Sequence, residues 1–450
     1  MSTVNGTFTA LNQASSSILV RPSETLLITL SGTFVGLCML QRMIGAGAAW
    51  ENAGTYASGV EAMSQPGTYR LICSRFTSGT ISYSLYTPSA TAVASLTGIT
   101  NLKASNTSKY RAARGKVLAG ISNMVVLTSG NSITAGAGAT GGSGSSAALL
   151  GSNAISKSYP TQLAQLLTAR GLTASSQSFV GGHGSNDWAA HDGRINMGGW
   201  LNVNGLGVIG SNTLRAPSAV ADCTFTPTTA VDTVDVYVLR SGIGSITIKN
   251  DSSATLATIA AQTGSGMINK TTVVLDGAAG TKIIKAGYVT AATNLIGMRA
   301  YNSAVKEVSI INSAAYGARV DSLNDTWNAN ASAVTIAPDL TILAWTRNDY
   351  GQSTAIETYR SLYQLAITAA LTTGDCILVI EPMGATVTGD PSPYYQVVYD
   401  LAEVNDIPVV DFTRLWDVYA NISTWYIDGI HPVGFAYANV ANEMAKVLLT

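Results

Sequence analysis

Three apolar runs constrain the fold of this chain most: Met124-Val-Val-Leu127, Leu340-Thr-Ile-Leu-Ala-Trp345 and Cys376-Ile-Leu-Val-Ile380. A strand that reads apolar along its length, without alternation, is buried on both faces, as in a parallel sheet covered by helices. Helical segments fall between and after these runs. One begins near Ser158, which can cap it, has Pro160 in its first turn and shows Leu163, Leu166 and Leu167 on one face before Gly171 ends it. Others run from Ala355 to Thr373, near 393–405 and about 433–448, and a further strand is Ile407-Pro-Val-Val-Asp411. Strands alternating with helices predict an α/β domain.

Two stretches break that pattern. Residues 1–115 show short runs such as Thr25-Leu-Leu-Ile-Thr-Leu30, Tyr69-Arg-Leu-Ile-Cys73 and Thr80-Ile-Ser-Tyr-Ser-Leu85 between Gly, Ser and Pro turns, which predicts a small β-sandwich. Residues 195–310 show the same texture in Thr233-Val-Asp-Val-Tyr-Val-Leu239, Gly244-Ser-Ile-Thr-Ile-Lys249 and Val305-Lys-Glu-Val-Ser-Ile-Ile311. The expected organisation is an N-terminal β-sandwich over 1–115, an α/β domain in two parts (116–194 and 311–450), and a β-sandwich inserted between them. Lys103 to Arg114 gathers positive charge and reads as a linker.

Composition removes several function classes. Only 11% of the 450 residues are charged and the net charge is −1, which gives no electrostatic basis for binding nucleic acid or an anionic membrane. The N-terminus lacks the basic start and apolar core of a signal peptide. The uncharged stretch Thr25 to Gln41 is shorter than the ~20 residues of a spanning helix and is broken by Ser31, Gly32 and Gly36, so strands are expected there and no membrane insertion. Cys38, Cys73, Cys223 and Cys376 share no metal-ligand spacing. Cys376 reads as a buried thiol, and Cys38 could face Cys73, with any pairing open.

The chain has three histidines, and one, His431, follows Asp428 by three residues. Ser132 lies on the glycine-flanked turn after the first buried strand, where reactive groups of such sheets gather. A serine, a histidine and a carboxylate are the parts of a nucleophilic hydrolase. The next strand ends carry Ile311-Asn-Ser-Ala-Ala-Tyr-Gly-Ala318 and Thr346-Arg-Asn-Asp349. The N–H of Gly317 and the amide of Asn348, beside the N–H of Ser132, suit an oxyanion hole. Gly182, in Phe179-Val-Gly-Gly-His-Gly184, is an alternative to Gly317. Asp349 is expected to brace its loop and Asp411 to be structural. His183, Asp187, His191 and Asp192 lack an established ligand spacing and are expected to be solvated loop residues rather than a metal site. Trp188, Trp200, Trp327, Trp345, Tyr350 and Trp425 flank these segments as core, rim or sugar-stacking aromatics.

These segments resemble, in order, the blocks of the SGNH (GDSL-like) hydrolase superfamily. The first is Gly130-Asn-Ser-Ile-Thr134, with Asn131 where the family usually has Asp; the second is Asn312 through Gly317. The third is Thr346-Arg-Asn-Asp349, with Thr346 in place of glycine, and the last is Asp428 to His431. The resemblance covers about 120–190 and 311–450. It implies a flavodoxin-like three-layer α/β/α domain, with Ser132 as nucleophile, His431 as general base and then acid, Asp428 orienting the imidazole, and no metal or cofactor. The whole layout, with Ala300-Tyr-Asn-Ser-Ala-Val-Lys-Glu-Val-Ser309 before the second block, is similar to SGNH esterases of bacteriophage tail fibres and tailspikes. That implies a jelly-roll-like, carbohydrate-binding-like insert, removal of O-acetyl groups from a capsular or O-antigen polysaccharide, and a virion-tail or extracellular location. Other phage tail proteins and a homotrimer would be partners, although no heptad or fibrous segment supports a trimer. The rival from another class is a non-catalytic glycan-binding or structural tail protein on the same scaffold.

Overall fold

The computed structural model describes residues 3–20, 26–44, 49–56, 59–63, 67–87, 98–142, 145–183, 185–204, 210, 212–239, 244–260, 268–290, 294–321, 335–386, 388–416 and 423–450. Trp327 lies outside them. The chain divides into two compact units, Met1–Thr100 and Asn101–Thr450.

The first unit holds two antiparallel four-stranded sheets. One runs in the order Thr3–Phe8, Ile81–Tyr86, Leu26–Ser31, Gly59–Met63, and the other Ile18–Val20, Gly67–Gly79, Phe34–Ile44, Ala49–Tyr56. The period-two pattern of Gly67–Gly79 turns Tyr69, Leu71 and Cys73 into a core shared with Phe8, Ile28, Leu40 and Leu85. Cys38 sits opposite Cys73 in the strand register, yet both are free thiols, and burial pushes Cys38 up to about 12. Cys376 is likewise free and buried. The uncharged stretch near residue 30 forms strands, and among the described residues no helix is long and apolar enough to cross a membrane.

The second unit is built on a parallel sheet in which Ala174–Ser175, Val308–Asn312, Met124–Gly130, Leu340–Ala344, Asp375–Ile380 and Val409–Asp411 lie side by side in that order. Every residue of Met124–Gly130, Leu340–Ala344 and Asp375–Ile380 is buried, which accounts for the apolar runs Met124–Leu127, Ile342–Ala344 and Cys376–Ile380 within them. Helices Ile356–Thr373 and Ser392–Val404 pack on each other, as do Tyr159–Ala169 and Gly434–Leu449. Ser158 does not cap its helix. Its hydroxyl donates back to Ile155 O at 2.8 Å, and Pro160, which lacks the N–H, fits the first turn.

The basic stretch expected to be a linker is instead the start of a helix, Ser108–Leu118, within the second unit. Tyr110, Ala113 and Val117 are its buried face. Lys109 donates to Leu371 O and Gly374 O, and Arg114 to Leu448 O, so these cations sit on the carbonyls that end two other helices. Positive charge is favoured there by the orphan carbonyls and the negative end of the helix dipole.

The inserted region forms two antiparallel sheets. Leu201–Asn204, Asn212–Arg215, Asn294–Tyr301, Thr233–Leu239 and Ile268–Val274 make the first, with Ser178–Val180 added on Asn294–Tyr301. Ile195–Asn196, Cys223–Phe225, Ile284–Thr290, Ser245–Lys249 and Thr255–Ile259 make the second. Side chains from both, including Trp200, Phe225, Val236, Ile248 and Met298, share one core. Ser178–Val180 therefore belongs to an antiparallel sheet, and the β region begins before residue 195. Asp235, buried in the first sheet, is held by Arg299 opposite it at 2.8 Å.

Candidate active site

The turn that carries Ser132 is fixed from two sides. Asn131 caps the short helix Ser132–Ala135 by accepting the Ile133 N–H at 2.9 Å, which leaves Ser132 at the first helical position and only 4% exposed. The neighbouring strand ends at Asn312, opposite Thr128. Asn312 donates to Thr134 O at 2.8 Å, Ser313 Oγ donates to Thr128 O at 2.9 Å, and the Ala315 N–H donates to Gly130 O at 2.9 Å. The second block is thus laced to the first.

His431 reaches the turn from a hairpin closed by the Tyr426–Pro432 bridge, with the Ile427 N–H donating to His431 O at 2.9 Å. Asp428 Oδ1 accepts the N–H groups of Ile430 and His431 at 3.0 and 2.8 Å, and its Oδ2 lies 2.7 Å from His431 Nδ1. His431 Nε2 lies 2.8 Å from Ser132 Oγ. An ionised carboxylate accepts only, so Nδ1 carries the hydrogen and Nε2 is free to accept from the serine. Burial alone would raise Asp428, but the bonds from the His431 ring, its N–H and the Ile430 N–H outweigh it and bring it down to about 2. Gly138 permits the close approach of this hairpin. It has φ +78°, and a Cβ there would stand 2.7 Å from Ile427 Cγ2 and 3.2 Å from His431 Cβ. The Tyr316 ring stacks against His431, centroids 5.8 Å apart and planes 19° apart.

The other candidate residues, Gly317 and Asn348, follow the next strand ends. Gly317 is exposed with φ +72°, and a Cβ added there would meet nothing within 4 Å. The left-handed backbone, not crowding, is therefore what favours glycine. Asn348 sits on the helix Thr346–Gly351 after strand Leu340–Ala344, and its Nδ2 donates to Ala318 O at 3.0 Å. That bond uses one of the two amide hydrogens, leaves the second, and ties Asn348 to the residue after Gly317. Thr346 is buried and accepts from the Tyr359 hydroxyl at 3.2 Å. Gly182 has no such freedom. Its N–H already donates to Asn212 Oδ1 at 2.7 Å, and it faces the buried indole of Trp188.

Asp349 takes the Val320 N–H at 3.0 Å, and burial pushes it up to about 7. Asp411 accepts from Thr413, the Arg414 N–H and Tyr399 beside the helix Phe412–Trp416, away from the serine turn in the bonding pattern. The expectation of a solvated loop around His183 fails. His183, His191 and Asp192 are buried at 3%, 1% and 2% exposure. His183 Nδ1 bonds Ala314 O at 2.8 Å, His191 Nδ1 bonds Leu150 O at 2.9 Å, Arg194 pairs with Asp192, and Asp187 caps the helix Trp188–His191. Burial, with His191 beside it, pulls His183 down to about 3. Among the described residues no group of His, Cys, Asp or Glu is gathered to hold a metal. Trp188, Trp200 and Trp345 are core, whereas Trp425 is half-buried between Trp416 and the exposed Phe435. Sequence reasoning passed over Glu381. It reads as the end of a strand, and its contact with Asn131 joins residues 250 apart.

No family model matches the chain, and no curated protein matches it. Among solved structures it is similar to a peptidoglycan O-acetylesterase, with a TM-score of 0.54 at 14% identity over 78% of this chain and 98% of that one. This likeness shows a shared fold. It is also similar to a putative lipolytic protein of the G-D-S-L family from Desulfitobacterium hafniense DCB-2 (TM-score 0.27, 16% identity, 31% of this chain and 81% of that one). A family two carbohydrate esterase from Clostridium thermocellum gives a TM-score of 0.25 at 11% identity, over 52% and 93%. The last two superpose too loosely to carry an argument.

Proposed function

We propose that this chain is a serine esterase that removes O-acetyl groups from a bacterial surface polysaccharide. The observation that carries the reading is the single imidazole bonded at Nδ1 to Asp428 and at Nε2 to Ser132. A fold shared with an O-acetylesterase agrees with it.

In this reading Ser132 Oγ attacks the acetyl carbon while its proton passes to His431 Nε2. The oxyanion forms at the N–H groups of Ser132 and Gly317 and the second amide hydrogen of Asn348. Gly317 takes this role over Gly182 because the Gly182 N–H is already bonded. The tetrahedral species collapses, His431 returns the proton to the departing sugar oxygen, and an acetyl-serine remains. Water, deprotonated at Nε2, then attacks the acetyl carbon; acetate leaves and Ser132 regains its proton. Asp428 stays ionised throughout and stabilises the imidazolium. The chemistry requires no metal.

We place the substrate among capsular or O-antigen polysaccharides, and the protein on a phage tail fibre or tailspike, from the sequence resemblance. A chromogenic acetyl ester tests the reaction class. Hydrolysis that stops when a serine-directed inhibitor labels Ser132 supports it. Glycan binding without any turnover favours the non-catalytic rival.

A further inference from the structure

Asn131 Nδ2 donates to Glu381 Oε2 at 2.7 Å, and the Arg347 N–H donates to the same oxygen at 3.2 Å. One carboxyl oxygen therefore joins the turn that carries Ser132 to the helix that carries Asn348. Glu381 directly follows the buried strand Asp375–Ile380 and is 1% exposed. Its other oxygen, Oε1, has no hydrogen-bond partner among the described residues. The ionisable groups around it are Arg347 and Asp349 from one helix, and Tyr159, Tyr359, Tyr363 and Tyr437 from three others. Burial pushes Glu381 up to about 8. A proton on the unpartnered Oε1 leaves Oε2 as a carbonyl-like acceptor for both N–H groups.

We propose that Glu381 is a positioning residue: its Oε2, acting as an acceptor, holds the nucleophile turn and the oxyanion helix in register. The proposal rests on the reading of Ser132 as nucleophile. It also accounts for Asn131. An aspartate at 131 could still accept the Ile133 N–H, but would set a second carboxyl against Glu381. The amide at 131 and the acid at 381 are a matched pair.

The test is steady-state hydrolysis of an aryl acetate by the full chain across a pH series. Glu381→Gln keeps both volume and acceptor, and is expected to hold kcat within about 3-fold. Glu381→Ala is expected to lower kcat by about 10–100-fold with KM nearly unchanged, because displacement of ~1 Å at a reacting group costs up to that factor. Asn131→Asp sets two carboxyls side by side, which share one proton until a raised pH removes it. Its kcat should fall as rising pH removes their shared proton, and adding Glu381→Gln should abolish that fall. Wild-type kcat in Glu381→Ala, equal losses in the Gln and Ala variants, or a wild-type pH profile in Asn131→Asp would each overturn the proposal. If Glu381→Ala does not fold, the Asn131 pH profiles decide. Ser132→Ala, run alongside, separates the two levels. Turnover persisting there sinks the esterase reading itself, whereas its loss with unaffected Glu381 and Asn131 variants sinks only the clamp.

Discussion

Ser132 Oγ and His431 Nε2 stand 2.8 Å apart although 299 residues separate them in the chain. The parallel sheet brings Ser132 to one strand end, and the final hairpin returns His431 to it after the inserted β region has been threaded between. Asp428 completes the line from the hairpin itself, so the histidine arrives already oriented.

Replacing Asp428 with Asn removes the acceptor for Nδ1–H and allows the wrong tautomer. The expected loss in kcat is about 10³–10⁴-fold. Because Asp428 is held near 2, it remains ionised across the working range, and the deficit should be similar from neutral to alkaline pH. The lowered value also adds stability that is complete above the unfolded value of 3.8 and is lost as pH falls through about 2. Rate–pH profiles of the two proteins check the first expectation, and acid unfolding checks the second.

Asn348→Ala is expected to cost roughly 10²–10³-fold in kcat with little change in KM, since an oxyanion donor acts on the transition state and not on the bound ester. A rise in KM at constant kcat would instead assign the amide to ground-state binding.

The two glycines should respond in opposite ways. Gly317→Ala has space for its methyl but must hold φ +72°, a strain of about 1–2 kcal/mol that relaxes by turning the N–H away. kcat should drop about tenfold or more with a small change in Tm. Gly182→Ala would place its Cβ 2.0 Å from Trp188 Nε1, which is fully buried. Its Tm should fall by the equivalent of about 1–3 kcal/mol, while kcat per folded molecule holds. Paired melting and kinetic measurements distinguish them.

His183 titrates far below the usual value of 6.5, at about 3, so the unfolded chain binds a proton that the folded chain refuses between those limits. Stability from this group is present above about 6.5 and is lost as pH falls toward 3. His183→Asn keeps a donor toward Ala314 O and suits φ +53°, because Asn tolerates the left-handed region. The fall of Tm between pH 7.5 and 4 should be shallower in this variant. His191, also buried and lowered, retains its share of the slope.

Met124–Gly130, Leu340–Ala344 and Asp375–Ile380 were legible because burial on both faces leaves little polar alternation to confuse the pattern, whereas Val308–Asn312, read from Val305-Lys-Glu-Val-Ser-Ile-Ile311 as a strand of the inserted β region, instead pairs in parallel with Met124–Gly130. Ser132, Gly317 and Asn348 could be marked because strand ends in such sheets are where reactive groups gather, and His431 because Asp428 stands three residues before it. Partner choice was not legible. Phe179 to Gly184 reads as a strand end, but only the register shows Ser178–Val180 lying antiparallel on Asn294–Tyr301. The helix Ser108–Leu118 was hidden by its charge, although Tyr110, Ala113 and Val117 have helical spacing; its lysine and arginine serve carbonyls more than 260 residues away. His183 and His191 sit in polar loop sequence, and no local pattern links them to Ala314 O and Leu150 O, the carbonyls their buried rings bond.

The role of Ser132 as nucleophile of a deacetylating triad can be read from its product. The direct measurement is acetate released from purified O-acetylated bacterial surface polysaccharide, followed by NMR, with wild-type protein and Ser132→Ala side by side. Wild-type protein is expected to remove the acetyl signals with stoichiometric free acetate, and the variant to release none above background. Equal acetate release by both would contradict that role.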